Sequence, residues 1–200
     1  KTELNNFLDD ASEASDIIEN NLQRAANLVK SFKRVAVDQT SNENREINLR
    51  NYIDEVILNL RPKLKKTKHM INNNIDQNFT LYTSPGALSQ IFTNLILNSL
   101  IHGFEHINAG IIDINCERKQ NGFYLSYSDS GKGMDENQCK QVFEPFFTTK
   151  RNEGGSGLGM HIVYNLVTQA LNGTIKCKSD VNNGCHFNMT LPYQKEAESA

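Results

Sequence analysis

The chain has 200 residues, 38% of them apolar and 22% charged, with a formal net charge of −2 at pH 7. That apolar content can form a core, so the chain is not a disordered tail, and the near-balanced charge argues against a broad nucleic-acid-binding surface. No apolar run exceeds three residues, which excludes a membrane span and a signal-peptide core from these residues.

In chain order, an alternating four-three spacing first picks out Leu4, Leu8, Ala11, Ser15, Ile18, Leu22, Ala25, Val29, Phe32 and Ala36 as a heptad seam. A helix of that length runs about 50 Å, more than a compact domain can cover, so it predicts a bundle or coiled-coil arm that needs a helical partner. Asp38 to Arg45 is polar and turn-rich, a linker. A short strand is expected at Glu46 to Leu49, followed by helical spacing through Tyr52, Val56, Ile57, Leu60 and Leu64, and strands at Met70 to Ile75 and Phe79 to Tyr82. The basic run Arg61 to Lys68 reads as a solvated helix end.

Ser84-Pro85 opens a helix predicted to continue to about His102. Ile111 to Cys116 and Phe123 to Asp129 alternate as a strand pair, and a loop-rich stretch reaches Ser156. A helix then runs from Leu158 to Leu171, and Thr174 to Lys178 with His186 to Leu191 close the chain as another pair. Mixed strands and helices without regular alternation predict an α+β fold, with helices on one face of a mostly antiparallel sheet, preceded by a long N-terminal helix. The four cysteines form no CxxC pair and read as reduced cytosolic thiols.

Glycine is the informative residue: six of twelve lie between Gly131 and Gly159. The first cluster, Asp129-Ser-Gly131-Lys-Gly133-Met134, follows a strand. A strand-end carboxylate can accept hydrogen bonds from an exocyclic amine such as that of adenine, and the glycines let a flat ring approach; a turn with an Asp cap reads equally well. The second, Gly154-Gly155-Ser156-Gly157-Leu158-Gly159-Met160, precedes a helix and can turn backbone N–H groups toward a phosphate, although a hinge reads nearly as well. Neither spacing is that of a dinucleotide fingerprint or a P-loop. Upstream, Asn94 and Asn98 sit four residues apart on one helix face amid apolar residues. Amides there need polar partners, and a triphosphate with Mg²⁺ would supply them; a surface position is the plainer alternative.

The ordered set resembles the ATP-binding catalytic domain of sensor histidine kinases, within the superfamily of gyrase, mismatch-repair and heat-shock chaperone ATPases. Asn94 to Asn98 is similar to the N box, DSGKGM to the first glycine box, Phe143-Glu-Pro-Phe146-Phe147 to the F box, GGSGLGM to the second glycine box, and Gly184 to Pro192 to the closing strand motif. The resemblance covers about residues 46 to 193 and implies a two-layer α/β sandwich binding ATP. It divides the chain into 1–40, the second helix of a dimerisation and phosphotransfer bundle, then 46–193, the catalytic domain, and 194–200, a polar tail.

By the same resemblance, Asn98 would ligate Mg²⁺, Asn94 would support the phosphate and metal region, and Asp129 would hold the adenine amino group in a pocket shaped by Gly131 and Gly133. His102 would pack near the adenine or phosphates. Gly155, Ser156, Gly157, Leu158 and Gly159 would form the phosphate loop, under a lid from about Phe146 to Ser156 in which Lys150 and Arg151 contact phosphate. The implied partners are a second copy joined through the N-terminal helix and a response-regulator receiver domain, and the implied place is the cytoplasmic part of a membrane-bound sensor.

Two departures stand out. Ile101 occupies a position where many members carry Lys, and it supports a rival reading as a catalytically degenerate nucleotide-binding dimeric scaffold. The chain also starts at Lys1, and none of His69, His102, His106, His161 and His186 has the phosphoacceptor context. The first bundle helix, with that histidine, is expected upstream. A zinc reading of His102-Gly-Phe-Glu105-His106 requires an unbroken helix that Gly103 disfavours, and a gyrase-type ATPase reading lacks a general-base Glu at Asn94.

Overall fold

The computed structural model describes residues 44–150 and 155–193, together with residues 14, 15, 18, 19 and 22. Most of the predicted N-terminal helix, residues 38–43 of the linker, Arg151 and the 194–200 tail lie outside the described residues, and the linker ends sooner than expected, because Arg45 already pairs in a strand. Ile18 and Leu22 of the heptad seam are helical and exposed, at 59% and 65%.

Strand β1 (Arg45–Asn48) leads into helix α1 (Leu49–Leu64), which starts where it does because the Asn48 side chain accepts a hydrogen bond from the Asn51 N–H at 2.9 Å. Leu49, Ile53, Val56 and Leu60 form its buried face, while the basic run from Arg61 is mostly exposed at its end. Strands β2 (Met70–Asn73) and β3 (Thr80–Thr83) follow. Helix α2 (Pro85–Asn98) is capped by Ser84 with Pro85 in the first turn. It is the most deeply buried helix, with Ala87, Leu88, Ile91, Phe92, Leu95 and Ile96 all in the core.

Strands β4 (Ile111–Lys119) and β5 (Gly122–Asp129) pair from Ile112 opposite Asp129 to Lys119 opposite Gly122. Then come a short helix α3 (Glu136–Gln141), helix α4 (Gly159–Asn165) and strands β6 (Thr174–Ser179) and β7 (Cys185–Pro192). Five strands form one sheet in the order β2-β4-β5-β7-β6. It is antiparallel except for the parallel β2–β4 edge, and β1 and β3 make a separate two-stranded sheet. Period-two alternation sends Ile112, Ile114, Phe123, Leu125, Tyr127, Phe187, Met189 and Leu191 into the core shared with the helices. The α+β sandwich expected from the sequence is the fold observed. Among the described residues, no helix is long and apolar enough to cross a membrane.

Three boundaries differ from the sequence reading. Helix α2 ends at Asn98, and the next turn, Ser99–Gly103, is π-helical, closing with Phe104 N–H on the Ser99 carbonyl at 2.8 Å. The second long helix likewise switches from α at Asn165 to a π turn at Leu166–Ala170. The stretch expected to be loop contains α3, held by a capping box in which Asp135 and Gln138 satisfy each other's backbone N–H groups.

Candidate functional site

A cleft of about 480 Å³ opens between α2, the two glycine clusters and the segment joining them. Asn94, Asn98, Ile101 and His102 line it from α2 and the π turn; Asp129, Lys132, Gly133 and Met134 line it from the end of β5; Thr149, Lys150, Gly155, Ser156, Gly157 and Gly159 line the far side. Residues scattered over more than 60 positions of sequence therefore share one wall-to-wall cavity, because the π turn and the end of β5 emerge at the same edge of the core.

Asp129 is the buried charge of the cleft, 5% exposed at the end of β5. Its Oδ2 accepts from Ser99 Oγ at 2.6 Å and its Oδ1 from the Gly131 N–H at 2.9 Å. Ser99 Oγ also lies 2.8 Å from the Tyr127 hydroxyl. Ser99 has one hydroxyl proton and gives it to the carboxylate, so the Tyr127 hydroxyl donates to Ser99. Burial pushes the Tyr127 phenol well above its ordinary range and keeps it a donor. An ionised carboxylate offers about four acceptor directions, so the two donors leave Asp129 able to accept from a ligand amine.

The second polar feature is Asn94. It lines the cleft, and its Nδ2 is buried without a hydrogen-bond partner. An orphaned buried amide N–H donor is costly, roughly 1–3 kcal/mol, and is the mark of a group whose partner is an acceptor on a ligand, such as a phosphate oxygen. Asn98, one helical turn on, also faces the cleft. Uncharged amide oxygens are hard donors that suit a Mg²⁺ ion already carrying phosphate and water, so these residues fit such an ion.

Glu105 sits just beyond the π turn and pairs with Lys132 at 2.5 Å and Lys150 at 2.8 Å. Hydrogen bonds from these two ammonium groups hold its carboxyl at about 2. Lys150 is thus 15% exposed and tethered in this structure. His102 Nδ1 lies 3.2 Å from Thr149 Oγ1, a second link from the π turn to the same segment. The pairing of Glu105, with a left-handed backbone at His106 (φ 63°), removes the unbroken helix that the zinc reading requires.

Of the residues singled out in the sequence, Asn94, Asn98, His102, Asp129, Gly133, Lys150, Gly155, Ser156, Gly157 and Gly159 come together around the cleft. Two do not line it. Gly131 is buried behind Asp129, where a Cβ would fall 2.6 Å from the Gly103 carbonyl oxygen. Leu158 is 4% exposed, turned into the protein because the loop must reverse to start α4. That reversal uses Gly157 at φ +66°, with a Cβ position only 2.5 Å from the Phe146 carbonyl carbon. Arg151 lies outside the described residues. The sequence reading missed Ser99, Tyr127, Glu105 and the role of Lys132. Tyr127 had a signal: it shares the inward face of β5 with Leu125 and Asp129.

The sandwich thus carries a glycine-walled cleft with a buried strand-end carboxylate. A family model described as histidine kinase-, DNA gyrase B-, and HSP90-like ATPase matches residues 83–195, and the chain belongs to that family. Its relatives include sensor histidine kinase ZraS of Escherichia coli strain K12, 36% identical over 112 residues that make up 56% of this chain and 23% of ZraS. Sporulation kinase E of Bacillus subtilis strain 168 is 29% identical over 188 residues, 92% of this chain and 24% of that protein. The chain thus spans about a quarter of the length of these curated relatives. Among solved structures, the nucleotide-free catalytic domain of histidine kinase ThkA superposes with a TM-score of 0.63 at 26% identity, covering 76% of this chain and 96% of that domain. Acinetobacter baumannii histidine kinase AdeS shares the fold with a TM-score of 0.68 at 18% identity, over 88% of this chain and 82% of that one.

Proposed function

We propose that this chain is the ATP-binding kinase module of a sensor histidine kinase, passing the γ-phosphoryl group of ATP to a histidine for relay to an aspartate of a response-regulator receiver domain. The observation that carries the reading is the pairing, in one cleft, of a buried carboxylate with spare acceptor capacity and a buried amide without a partner.

In this reading Asp129 accepts from the adenine amino group, and Gly131, by pinning Asp129 from behind, and Gly133 shape the pocket around the ring. His102 closes the side between base and phosphates. Asn98 ligates Mg²⁺ through its amide oxygen and Asn94 supports the phosphate and metal region. When bound, Mg²⁺ supplies charge neutralisation at the phosphate oxygens, where phosphoryl transfer draws most of its catalysis from positioning and electrostatics. The loop Gly155, Ser156, Gly157, Leu158 and Gly159 lines the phosphate end of the cleft, and the buried Leu158 side chain anchors it; the Gly155 N–H, which donates to the Lys150 carbonyl at 3.1 Å, is freed only when Lys150 moves. Lys150 exchanges the Glu105 carboxylate for a phosphate as the segment from about Phe146 to Ser156 closes as a lid, and Arg151 is the second phosphate contact proposed from the sequence.

Residues 1–40 serve as a helix of the dimerisation and phosphotransfer bundle and 46–193 as the catalytic domain. The module works as a homodimer on the cytoplasmic side of a membrane-bound sensor. Calorimetry of the chain with Mg-ATP tests the reading. Binding that Asp129→Asn weakens at least roughly tenfold is expected; no binding by the intact chain would overturn it in favour of a scaffold. The transfer step is read by adding a histidine-bearing bundle and radiolabelled ATP.

A further inference from the structure

The hydrogen bonds behind Asp129 run in one direction. Tyr127 is fully buried and Ser99 is 1% exposed, so neither has water as an alternative partner. Tyr127 donates to Ser99 Oγ, Ser99 donates to Asp129 Oδ2, and the Gly131 N–H donates to Oδ1. The three groups come from three places: the first residue of the π turn, the inward face of β5, and the first glycine cluster. Ser99 follows Asn98 with helical dihedrals (φ −61°, ψ −43°), so α2 itself carries it to the strand end.

We propose that Ser99 and Tyr127 are positioning residues that set base selectivity: their relay holds Asp129 as an oriented, acceptor-only carboxylate and so selects purines bearing a 6-amino group over those bearing a 6-oxo group. The proposal rests on the reading of Asp129 as the adenine contact. A carboxylate clamped at both oxygens presents its remaining lone pairs in a fixed direction, which suits an N–H donor and leaves a carbonyl oxygen facing like charge. Unclamped at Oδ2, the carboxylate can rotate about its terminal torsion and the direction is lost.

The test measures dissociation constants of adenosine and inosine triphosphates, with Mg²⁺, for the chain and four variants, with thermal melts as a check on folding. The wild type is expected to prefer the 6-amino nucleotide. Ser99→Ala is expected to lose roughly tenfold of that preference, chiefly through weaker ATP binding, with the inosine nucleotide little changed. Ser99→Thr keeps the hydroxyl and is expected to retain the preference, and Tyr127→Phe, which keeps the ring and removes the donor, to lose part of it. A merely structural role would weaken both nucleotides alike and leave their ratio unchanged in Ser99→Ala and Tyr127→Phe; that result overturns the relay. Asp129→Asn separates the two failures. If it leaves ATP binding intact, the adenine reading itself falls. If it abolishes the preference while Ser99→Ala and Tyr127→Phe preserve it, only the relay falls.

Discussion

The Lys150 ammonium lies 2.8 Å from a Glu105 carboxylate oxygen, which ties the segment between the two glycine clusters to the turn that follows α2. Lys132, from the first glycine cluster, grips the same carboxylate. One acidic side chain therefore bridges the first cluster and the segment that leads to the second, and its removal should loosen the segment that follows Lys150. Glu105→Gln is expected to speed tryptic cleavage at Lys150–Arg151 by roughly threefold or more, beyond what its loss of global stability accounts for, because local opening governs such cleavage. Mass spectrometry of the first fragments reads it; an unchanged rate would mean the tether does not restrain the segment.

The same carboxyl gives a pH dependence. Its folded value of about 2 lies below the ordinary 4.5, so its contribution to stability is fully present above about 4.5 and is lost as the pH falls toward 2. Urea unfolding of the wild type and Glu105→Gln should differ at neutral pH and converge through that acid window. A difference independent of pH would assign the effect to packing instead.

Gly157→Ala should damage the cleft more than the core. The residue sits at φ +66° with its missing Cβ against the Phe146 backbone, so a side chain there must move one of the two loops at a local cost of about 1–3 kcal/mol. ATP affinity is expected to fall at least roughly tenfold while the far-UV circular dichroism spectrum is unchanged. Equal affinity would show that the loop adapts.

Phe92 tests the core that carries α2. It is fully buried, and Phe92→Ala should cost about 3–5 kcal/mol in urea unfolding. A cost under about 1 kcal/mol would mean that α2 packs less tightly than its burial indicates.

The thiols offer a chemical check. Burial pushes Cys116 and Cys185 up to about 12 and Cys177 higher still. Iodoacetamide at pH 8 should leave all three unmodified in the folded chain and label them on unfolding, since the thiolate is the reacting form. Rapid native labelling would contradict their burial.

How much of this was legible in the sequence depended on whether the signal was local. The buried stripe of α2, the alternation of β4 and β5 and the glycine clusters are short-range patterns, and they led to the sandwich and to most of the cleft. Helix α3 was legible too: Asp135 and Gln138 have capping-box spacing. The π turn was not, since nothing in Ser99-Leu-Ile-His-Gly103 distinguishes it from one more α turn; its cause is the docking of Ser99 on the end of β5. The Ser99–Asp129 and Lys150–Glu105 contacts span 30 and 45 positions, and no spacing rule reaches across them. Leu158 failed differently, because a loop can offer its backbone to a ligand while its side chain faces the opposite way.

The turn between β6 and β7 is far in sequence from the carboxylate at the end of β5, yet Gly184, at φ +71°, rests on the Asp129 peptide, and any Cβ there would collide with the Asp129 carbonyl oxygen. Ser179 fixes this contact, donating to the Gly184 carbonyl at 2.5 Å while accepting from the Met134 N–H at 2.8 Å. Inherited variation at position 184 would thus look like an innocuous change at a hairpin tip, while acting as a lesion of the cleft that Asp129 lines.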